Sequence, residues 1–347
     1  MNRRINLIKN IFMSNFMRLP LPYKITLALT YRCNLRCKIC RIWKHQYNDE
    51  LTIKNIEIFF KNLNHLSWID LTGGELTLRE DIVEIIKVII KNSKRILVFH
   101  ISTNGQLPEK ILLLAKEILR FNLIPIINVS IDGPRVINDQ LRGVEGAYLN
   151  SLETFKKLKQ LNRGYYYISC TISNYNINYI DDLVEVLKKD IPDFAPYDLH
   201  FNIFHNSPHY YNNIGIDSFS GVSFDTVKKY FALSQTGNSI KIFLEKGYIK
   251  GLSKYCNGNR FPVRCQALNS SCFINPQGTV YPCGIYNKPV GELKDYDFNL
   301  KGLWYSPNAL KIKKEIMQRK CPGCWSPCEA YPAILGCTLR NLFFRRQ

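Results

Sequence analysis

Three closely spaced cysteines could do chemistry: Cys33, Cys37 and Cys40, in the run Thr30-Tyr31-Arg32-Cys33-Asn34-Leu35-Arg36-Cys37-Lys38-Ile39-Cys40. Three thiolates on one loop can hold three irons of a [4Fe–4S] cluster, which normally takes four cysteines. One protein ligand too few leaves one iron with an open coordination position, the logic that separates catalytic from structural zinc sites. A zinc knuckle is the competing use of the same residues, and it needs a fourth ligand, for which His45 is a candidate. A second group, Cys265, Cys272, Cys283, Cys321, Cys324, Cys328 and Cys337, crowds the last quarter of the chain. Of the 12 cysteines, Cys170 and Cys256 alone lie outside both groups.

Disulfides are a poor explanation for so many thiols. No secretory signal precedes them, since the short apolar stretch after Arg3 and Arg4 is broken by Asn6, Lys9 and Asn10. No run of 18 apolar residues occurs, so no helical span of a bilayer is expected. A chain of 347 residues with 46% hydrophobic residues can bury a full core without staples, which excludes general disorder. The expected compartment is therefore the cytoplasm, where thiols stay reduced and serve metal or cluster ligation. Lys+Arg 47 against Asp+Glu 28 gives a net charge of +19, which suits anionic partners or reflects compositional bias.

The elements that must position these residues alternate. Candidate strands are 24–30, 68–71, 96–102, 124–131, 165–172 and 198–204. Between them lie amphipathic stretches: Ile53, Ile56, Phe60 and Leu63 at helical spacing, then 81–91, 109–121, 146–161 and 180–188. Strand–helix alternation implies an α/β fold with parallel strands and crossover helices. Six strands in about 180 residues suit an open, partial barrel, with chemistry on the loops after the strands. The composition shift at 205–222 marks a boundary. The expected organisation is a basic N-terminal segment 1–23, a barrel 24–222, and a cysteine-bearing domain 223–347.

The spacing C-x3-C-x2-C after the first strand resembles the signature of the radical S-adenosylmethionine (radical SAM) superfamily. Further matches follow in order. Leu71-Thr72-Gly73-Gly74-Glu75 resembles the family's GGE motif, Ser102-Thr103-Asn104-Gly105 ends the third strand, and Val129-Ser130-Ile131-Asp132-Gly133-Pro134 ends the fourth, before Asn138-Asp139 and Leu141-Arg142-Gly143. Two positions depart from the pattern without removing a ligand: Ile39 replaces the usual aromatic residue, and Leu76 the usual proline.

The resemblance covers nearly all of 25–337. It implies a partial (β/α)6 barrel with a [4Fe–4S] cluster on Cys33, Cys37 and Cys40 and S-adenosylmethionine on the open iron. Gly73 and Gly74 would allow close backbone approach, and Glu75 would receive the cofactor's ammonium. Ser130 and Arg142 are expected at the methionine carboxylate. Asn104 and Asp132 either bind ribose or shape the pocket, although Asn-Gly and Asp-Gly-Pro are also turn signals. The branch resembled modifies peptides and proteins and makes some cofactors.

Cys265-x12-Gly278-x4-Cys283 with the later Cys321-Pro322-Gly323-Cys324 resembles the auxiliary-cluster domains called SPASM and twitch, as do Val290-Gly291-Glu292-Leu293 and Trp304. Cys265, Cys283, Cys321 and Cys324 would complete one auxiliary [4Fe–4S] site. Cys272, Cys328 and Cys337 are further candidates for a second, which would lack a fourth cysteine. A structural zinc ribbon is the alternative for this group. Cys170 reads as a core residue, and His205 and His209 as part of a solvated loop.

The expected reaction is reductive cleavage of S-adenosylmethionine, and the resulting radical takes a hydrogen atom from the substrate. The electron would come from a donor such as flavodoxin or ferredoxin. The substrate would be a peptide or protein, or a membrane-adjacent lipid or glycan precursor. Some 24 residues before the first strand are too few for a leader-binding domain, so a peptide would need a separate recognition protein. The other class of function is a non-catalytic iron–sulfur or zinc module, such as a nucleic-acid adaptor. Glu75 after Gly73-Gly74 argues against it, because a structural knuckle has no use for that carboxylate. The first 48 residues carry ten bases and no acid. With their interspersed apolar residues they suggest a helix able to lie on an anionic membrane surface.

The two cysteine groups should be separable. Reconstituted protein in which Cys33, Cys37 and Cys40 are all replaced by alanine should keep about four irons, as one remaining [4Fe–4S] centre requires. Stoichiometric zinc without iron would instead identify the C-terminal group as a ribbon.

Overall fold

A computed structural model of the chain describes residues 2–46, 48–63, 65–217, 222–233, 240–256 and 263–344. Helix α1 (Arg3–Met13) precedes strand β1 (Lys24–Ala28). The repeating part then runs α2 (Ile53–Lys61), β2 (Trp68–Thr72), α3 (Ile82–Asn92), β3 (Val98–Thr103), α4 (Pro108–Arg120), β4 (Ile124–Ser130), α5 (Arg135–Arg142), α6 (Ala147–Lys159), β5 (Tyr165–Ile172), α7 (Ile180–Asp190) and β6 (Leu199–Ile203). After it come α8 (Phe224–Leu233), α9 (Ile240–Cys256), β7 (Ser271–Ile274), β8 (Thr279–Tyr281), β9 (Gly291–Glu292), α10 (Leu300–Trp304), α11 (Pro307–Met317) and α12 (Pro327–Phe344). Each of the six expected strands forms, with ends shifted by at most two residues. Helix α5 was not expected from periodicity, because its eight residues are short and strongly polar.

Strands β1 to β6 are parallel and lie side by side in sequence order, and β6 pairs with β5 without closing onto β1. The sheet does not stop at the expected boundary. β7 joins β1 in parallel, with Lys24 opposite Ser271 and Ile25 opposite Cys272, and β8 and β9 extend it antiparallel. The cysteine-bearing segment thus shares backbone hydrogen bonds with the first barrel strand.

Alternation along the strands gives the sheet two unlike faces. Phe99, Ile101, Ile127 and Val129 are fully buried against the helices, where Ile85, Ile86, Ile89, Leu114, Ile118 and Phe155 complete the core. The concave face carries half-buried His100, Ser102, Asn128 and Ser130. At its N-terminal end lies a buried ion pair. Lys24 Nζ is 2.8 Å from Asp70, which also accepts bonds from Trp68 Nε1 at 2.6 Å and Thr26 Oγ1 at 3.2 Å and faces His100 Nδ1 at 3.3 Å. Burial opposes charge on both partners. The mutual attraction outweighs it, holding the Asp70 carboxyl well below the usual carboxylate range and Lys24 above the ordinary lysine range.

Helix α12 spans the gap between the two barrel edges. Glu329 on its first turn accepts a bond from Ser271 Oγ on β7 at 2.9 Å. Two residues on, Tyr331 donates to Glu245 of α9 at 2.8 Å, and Glu245 faces His200 of β6 at 3.0 Å. Among the described residues no helix is long and apolar enough to cross a membrane.

Replacing Lys24 with methionine leaves Asp70 buried without its cation, which should cost about 3–5 kcal/mol in urea unfolding. A depressed carboxyl contributes stability above its unfolded pKa of about 3.9 and loses it as pH falls through the folded value. The gap between native protein and Lys24→Met should therefore narrow at acid pH. A loss below about 1 kcal/mol at neutral pH would show that the pair is not a structural requirement.

Candidate functional site

The first cysteine loop leaves the carboxyl end of β1, and its backbone is tied down on three sides. On the first, Gly74 N donates to Thr30 O and Glu75 N to Arg32 O, both at 2.8 Å. The approach is so close that a Cβ on Gly73 would lie 2.3 Å from Thr30 O, and one on Gly74 would lie 2.2 Å from Arg32 O. Gly73 also has φ of +143°, which side chains disfavour. On the second side, Arg36 N and Lys38 N donate to Arg142 O and Leu141 O at the end of α5, at 2.9 and 2.8 Å. On the third, Arg41 N donates to Tyr211 O at 2.8 Å, and Asn213 Nδ2 donates to Ile39 O at 3.0 Å.

Cys33, Cys37 and Cys40 are half-buried and within electrostatic reach of one another. Asn104 Nδ2 and Arg142 Nη1 approach the sulfurs of Cys33 and Cys37, each at 3.8 Å. Burial pushes all three thiols up, Cys33 to about 11. Thiols in such surroundings become thiolates when a metal supplies the compensating charge. Three cysteines plus amide and guanidinium donors therefore fit an iron–sulfur cluster with an open iron. Among the described residues no three His, Cys, Asp or Glu side chains close on a single metal ion. His45, the candidate fourth zinc ligand, is engaged elsewhere: Nε2 contacts Tyr210 O at 3.1 Å and the ring stacks on Tyr31.

The other expected cofactor residues surround this loop in unequal ways. Glu75 is fully buried and accepts from Thr77 N (3.1 Å), Thr77 Oγ1 (2.6 Å), Thr103 Oγ1 (3.0 Å to both oxygens) and Asn104 N (2.7 Å). Its carboxylate therefore joins the loops after β2 and β3. Burial raises its pKa against those hydrogen bonds. Asn104 spends its amide on Asn34 Oδ1 at 2.7 Å as well as on Cys33. Asp132 is buried, pairs with Arg142 at 2.7 Å and accepts from Thr171 N at 2.8 Å. Ser130 stands half-buried on the concave face. Two buried polar atoms there have no partner among the described residues, the donor Arg142 Nε and the acceptor Asn128 Oδ1. Both suit a zwitterionic ligand with an amine and a carboxylate.

In the C-terminal group, Cys324 lies within electrostatic reach of Cys265, Cys283 and Cys321, and Cys265 of Cys283, and Tyr286 N donates to Cys283 Sγ at 3.3 Å. Burial raises Cys265 and Cys283 well above the usual thiol range and pushes Cys324 up to about 12. Of the further candidates, Cys272 and Cys328 both lie within electrostatic reach of Lys24 and Glu329. Cys272 is buried on β7 at the register of Ile25, in the apolar core. Cys328 and Cys337 both lie on α12, nine residues or about 13.5 Å of helix apart. Tertiary placement thus sets Cys337 apart from Cys328, although both belong to the same sequence group. Cys170 is a core residue with no exposure.

The segment after β6 corrects the sequence expectation of a solvated loop. His209 is buried, stacks on Tyr281, and lies 3.1 Å through Nε2 from Cys283 O. Burial lowers it, and likewise His205, to about 4, so both rings are neutral. Ser207 Oγ donates to Gly284 O at 2.6 Å, and Tyr31 OH donates to His209 O at 2.7 Å. Residues 204–216 therefore wedge between the two cysteine sites, with buried Tyr210 and half-buried Tyr211 beside Cys40. Sequence reasoning missed both tyrosines and Glu329, which is buried among the C-terminal cysteines. The only local signal was aromatic density in a segment otherwise rich in turn residues.

Comparison with known proteins agrees with this geometry. The family model of the Radical SAM superfamily matches residues 27–187, and that of SPASM, an iron-sulfur cluster-binding domain, matches 265–325. The sporulation killing factor maturation protein SkfB of Bacillus subtilis is 31% identical over 168 residues, 48% of this chain and 39% of that protein. The chain thus aligns with about two fifths of that relative's length. An AdoMet-dependent heme synthase of Methanosarcina barkeri is 24% identical over 347 residues, covering 92% of each chain. The crystal structure of Streptococcus suis SuiB bound to S-adenosylmethionine has a TM-score of 0.61 at 16% identity, covering 94% of this chain and 79% of that one. At that identity the likeness is one of fold.

Gly74→Ala would drive a methyl group into the Arg32 carbonyl. Iron bound at the first cysteine loop should be lost, while the C-terminal site keeps about four irons. Full iron content in this variant would show that the loop can move aside.

Proposed function

We propose, from the premise that this chain belongs to the radical SAM superfamily and carries a SPASM domain, that it is an enzyme acting on a peptide or protein. When bound, the cluster and S-adenosylmethionine would supply reductive cleavage and radical hydrogen-atom abstraction from the substrate, the electron coming from an external donor. The observation that carries the reading is the loop itself: three cysteines at the end of β1, two of them faced by amide or guanidinium donors.

The chain's own contribution is binding and orientation. Cys33, Cys37 and Cys40 would hold the cluster. Ser130 and the Arg142 Nε donor would receive the methionine carboxylate, while Glu75 and Asp132 fix the loops that carry Asn104 and Arg142. Residues 24–222 form the catalytic unit. Residues 223–347 form the auxiliary unit, with one cluster on Cys265, Cys283, Cys321 and Cys324. We place the reaction in a reducing cytoplasm, with a flavodoxin- or ferredoxin-type electron donor.

A peptide substrate is supported by the maturation protein among the relatives and by the structure of SuiB with precursor peptide SuiA. The full-length match to a heme synthase favours a second reading, a tetrapyrrole. A lipid or glycan precursor at a membrane is the third candidate.

Anaerobically reconstituted, reduced protein should form 5′-deoxyadenosine, and Cys33→Ala, Cys37→Ala and Cys40→Ala should each abolish this. Deuterium should pass into 5′-deoxyadenosine from a labelled precursor peptide encoded beside the gene. Transfer from a tetrapyrrole or lipid-linked glycan instead would replace the peptide assignment, and normal cleavage in the three variants would refute the catalytic one.

A further inference from the structure

Three cations meet without an anion at the amino end of β7. Arg18, in the segment between α1 and β1, donates through Nε to Leu268 O at 3.0 Å and through Nη2 to Trp304 O. Its guanidinium lies over the Trp304 ring, 4.6 Å from the centroid. Arg264 donates through Nη1 to Asn15 O at 2.9 Å, and Lys313 of α11 donates to Asn269 Oδ1 at 3.0 Å. Asn269 in turn donates to Ser14 O at 2.6 Å and to Gln266 Oε1 at 2.8 Å. The turn 264–270, the segment 14–19 and α11 are thus tied together at one point. Lys313 lies within electrostatic reach of both arginines, and burial together with that like charge brings it down to about 8.

None of the three cations has a carboxylate partner among the described residues, and no Asp or Glu lies outside them in the sequence. Two donors in the same group are also unmet. Arg18 Nη1 and Gln266 Nε2 are buried without a hydrogen-bond partner among the described residues, and Gln266 has no solvent exposure. A buried donor without an acceptor is costly, and three like charges held together add to that cost. Arg18 is already fixed through Nε and Nη2, so Nη1 is the part of it left to bind. Lys313 is half-buried and Arg264 exposed, which leaves one side of the group open to solvent. An oxyanion answers the charge and the donors together. Three cations exceed the single charge of a carboxylate, whereas a phosphate group carries about −1.5 to −2 and strong acceptor oxygens.

We propose that Arg18, Arg264, Lys313 and Gln266 form a binding site for a phosphate group, carried by inorganic phosphate or by a small phosphate ester. The bound oxyanion joins the segment before β1 to the turn before β7 and to α11. The site lies at the amino end of β7, which runs parallel to β1, and so at the end of the sheet opposite the first cysteine loop.

The test uses the full chain with its clusters reconstituted and titrates inorganic phosphate by calorimetry, with sodium chloride holding the ionic strength constant. Binding should saturate and should raise the melting temperature, as a ligand of the folded state alone does. Lys313→Gln and Arg264→Gln should each weaken it at least about tenfold, the loss of one charge-assisted hydrogen bond, with unchanged iron content. Arg264→Gln, at an exposed position, keeps the test decisive if the Lys313 variant unfolds. Tighter binding of glycerol 3-phosphate than of inorganic phosphate would identify an ester as the ligand, and equal or weaker binding the free ion. A response that sodium chloride alone reproduces would overturn the proposal. So would acetate binding as tightly as phosphate, or undiminished phosphate binding by the folded variants.

Discussion

The rest of the site depends on backbone hydrogen bonding to a loop of about a dozen residues after β1. Tyr31 and Asn34 make side-chain bonds from this loop, but the side chains of Cys33, Cys37 and Cys40 contribute little to anchoring it. Its amides and carbonyls must therefore find partners elsewhere. They find them at the end of β2 through Gly73–Glu75, at the end of α5 through Leu141 and Arg142, and in the segment after β6 through Tyr211 and Asn213. Each partner comes from a different strand–helix unit. The barrel's curvature brings those strand ends to one mouth, where they meet the loop. Glu75 extends the same logic. Its carboxylate joins two of these loops from a position with no solvent exposure.

A second constraint lies at the other end of the concave face. The pairing of Lys24 with Asp70, backed by Trp68, Thr26 and His100, fills the base of an open barrel with satisfied charge. Helix α12 then covers the gap that an unclosed sheet leaves, reaching β7 through Ser271 and β6 through Glu245 and His200. This helix begins three residues after Cys324, so the C-terminal cysteine site and the lateral closure of the barrel are covalently continuous. Substrate access is left to the mouth at the carboxyl ends of the strands, where the first cysteine loop sits.

The segment 204–216 connects the two cysteine sites. Its hydrogen bonds run one way to Ile39, Arg41 and Tyr31 and the other way to Cys283 and Gly284. Buried Tyr210 and half-buried Tyr211 lie between. A rearrangement at either site has to be transmitted to this wedge, because packed interiors do not deform continuously.

Local patterning in the sequence was enough for the strands, most of the helices and the ligand loop. Hydrophobic periodicity and cysteine spacing are properties of neighbouring residues, and they survive without tertiary context. The family likeness rested on the same kind of short-range order: Cys33-x3-Cys37-x2-Cys40, Gly73-Gly74-Glu75, Cys321-x2-Cys324. Roles set by partners far along the chain were illegible. Nothing near Glu75 announces Thr103 and Asn104, and nothing near Lys24 announces Asp70 or Glu329. The turn-like composition around His209 conceals its burial against Cys283, 74 residues away. Cys272, Cys328 and Cys337 look like members of a ligand group by spacing. Only tertiary placement shows that Cys272 sits on a core-facing strand position, and that Cys328 and Cys337 occupy separate turns of one helix. The sequence determined which residues can carry the chemistry; the folded sheet decided which meet, because three-dimensional neighbours are chosen by strand order and packing.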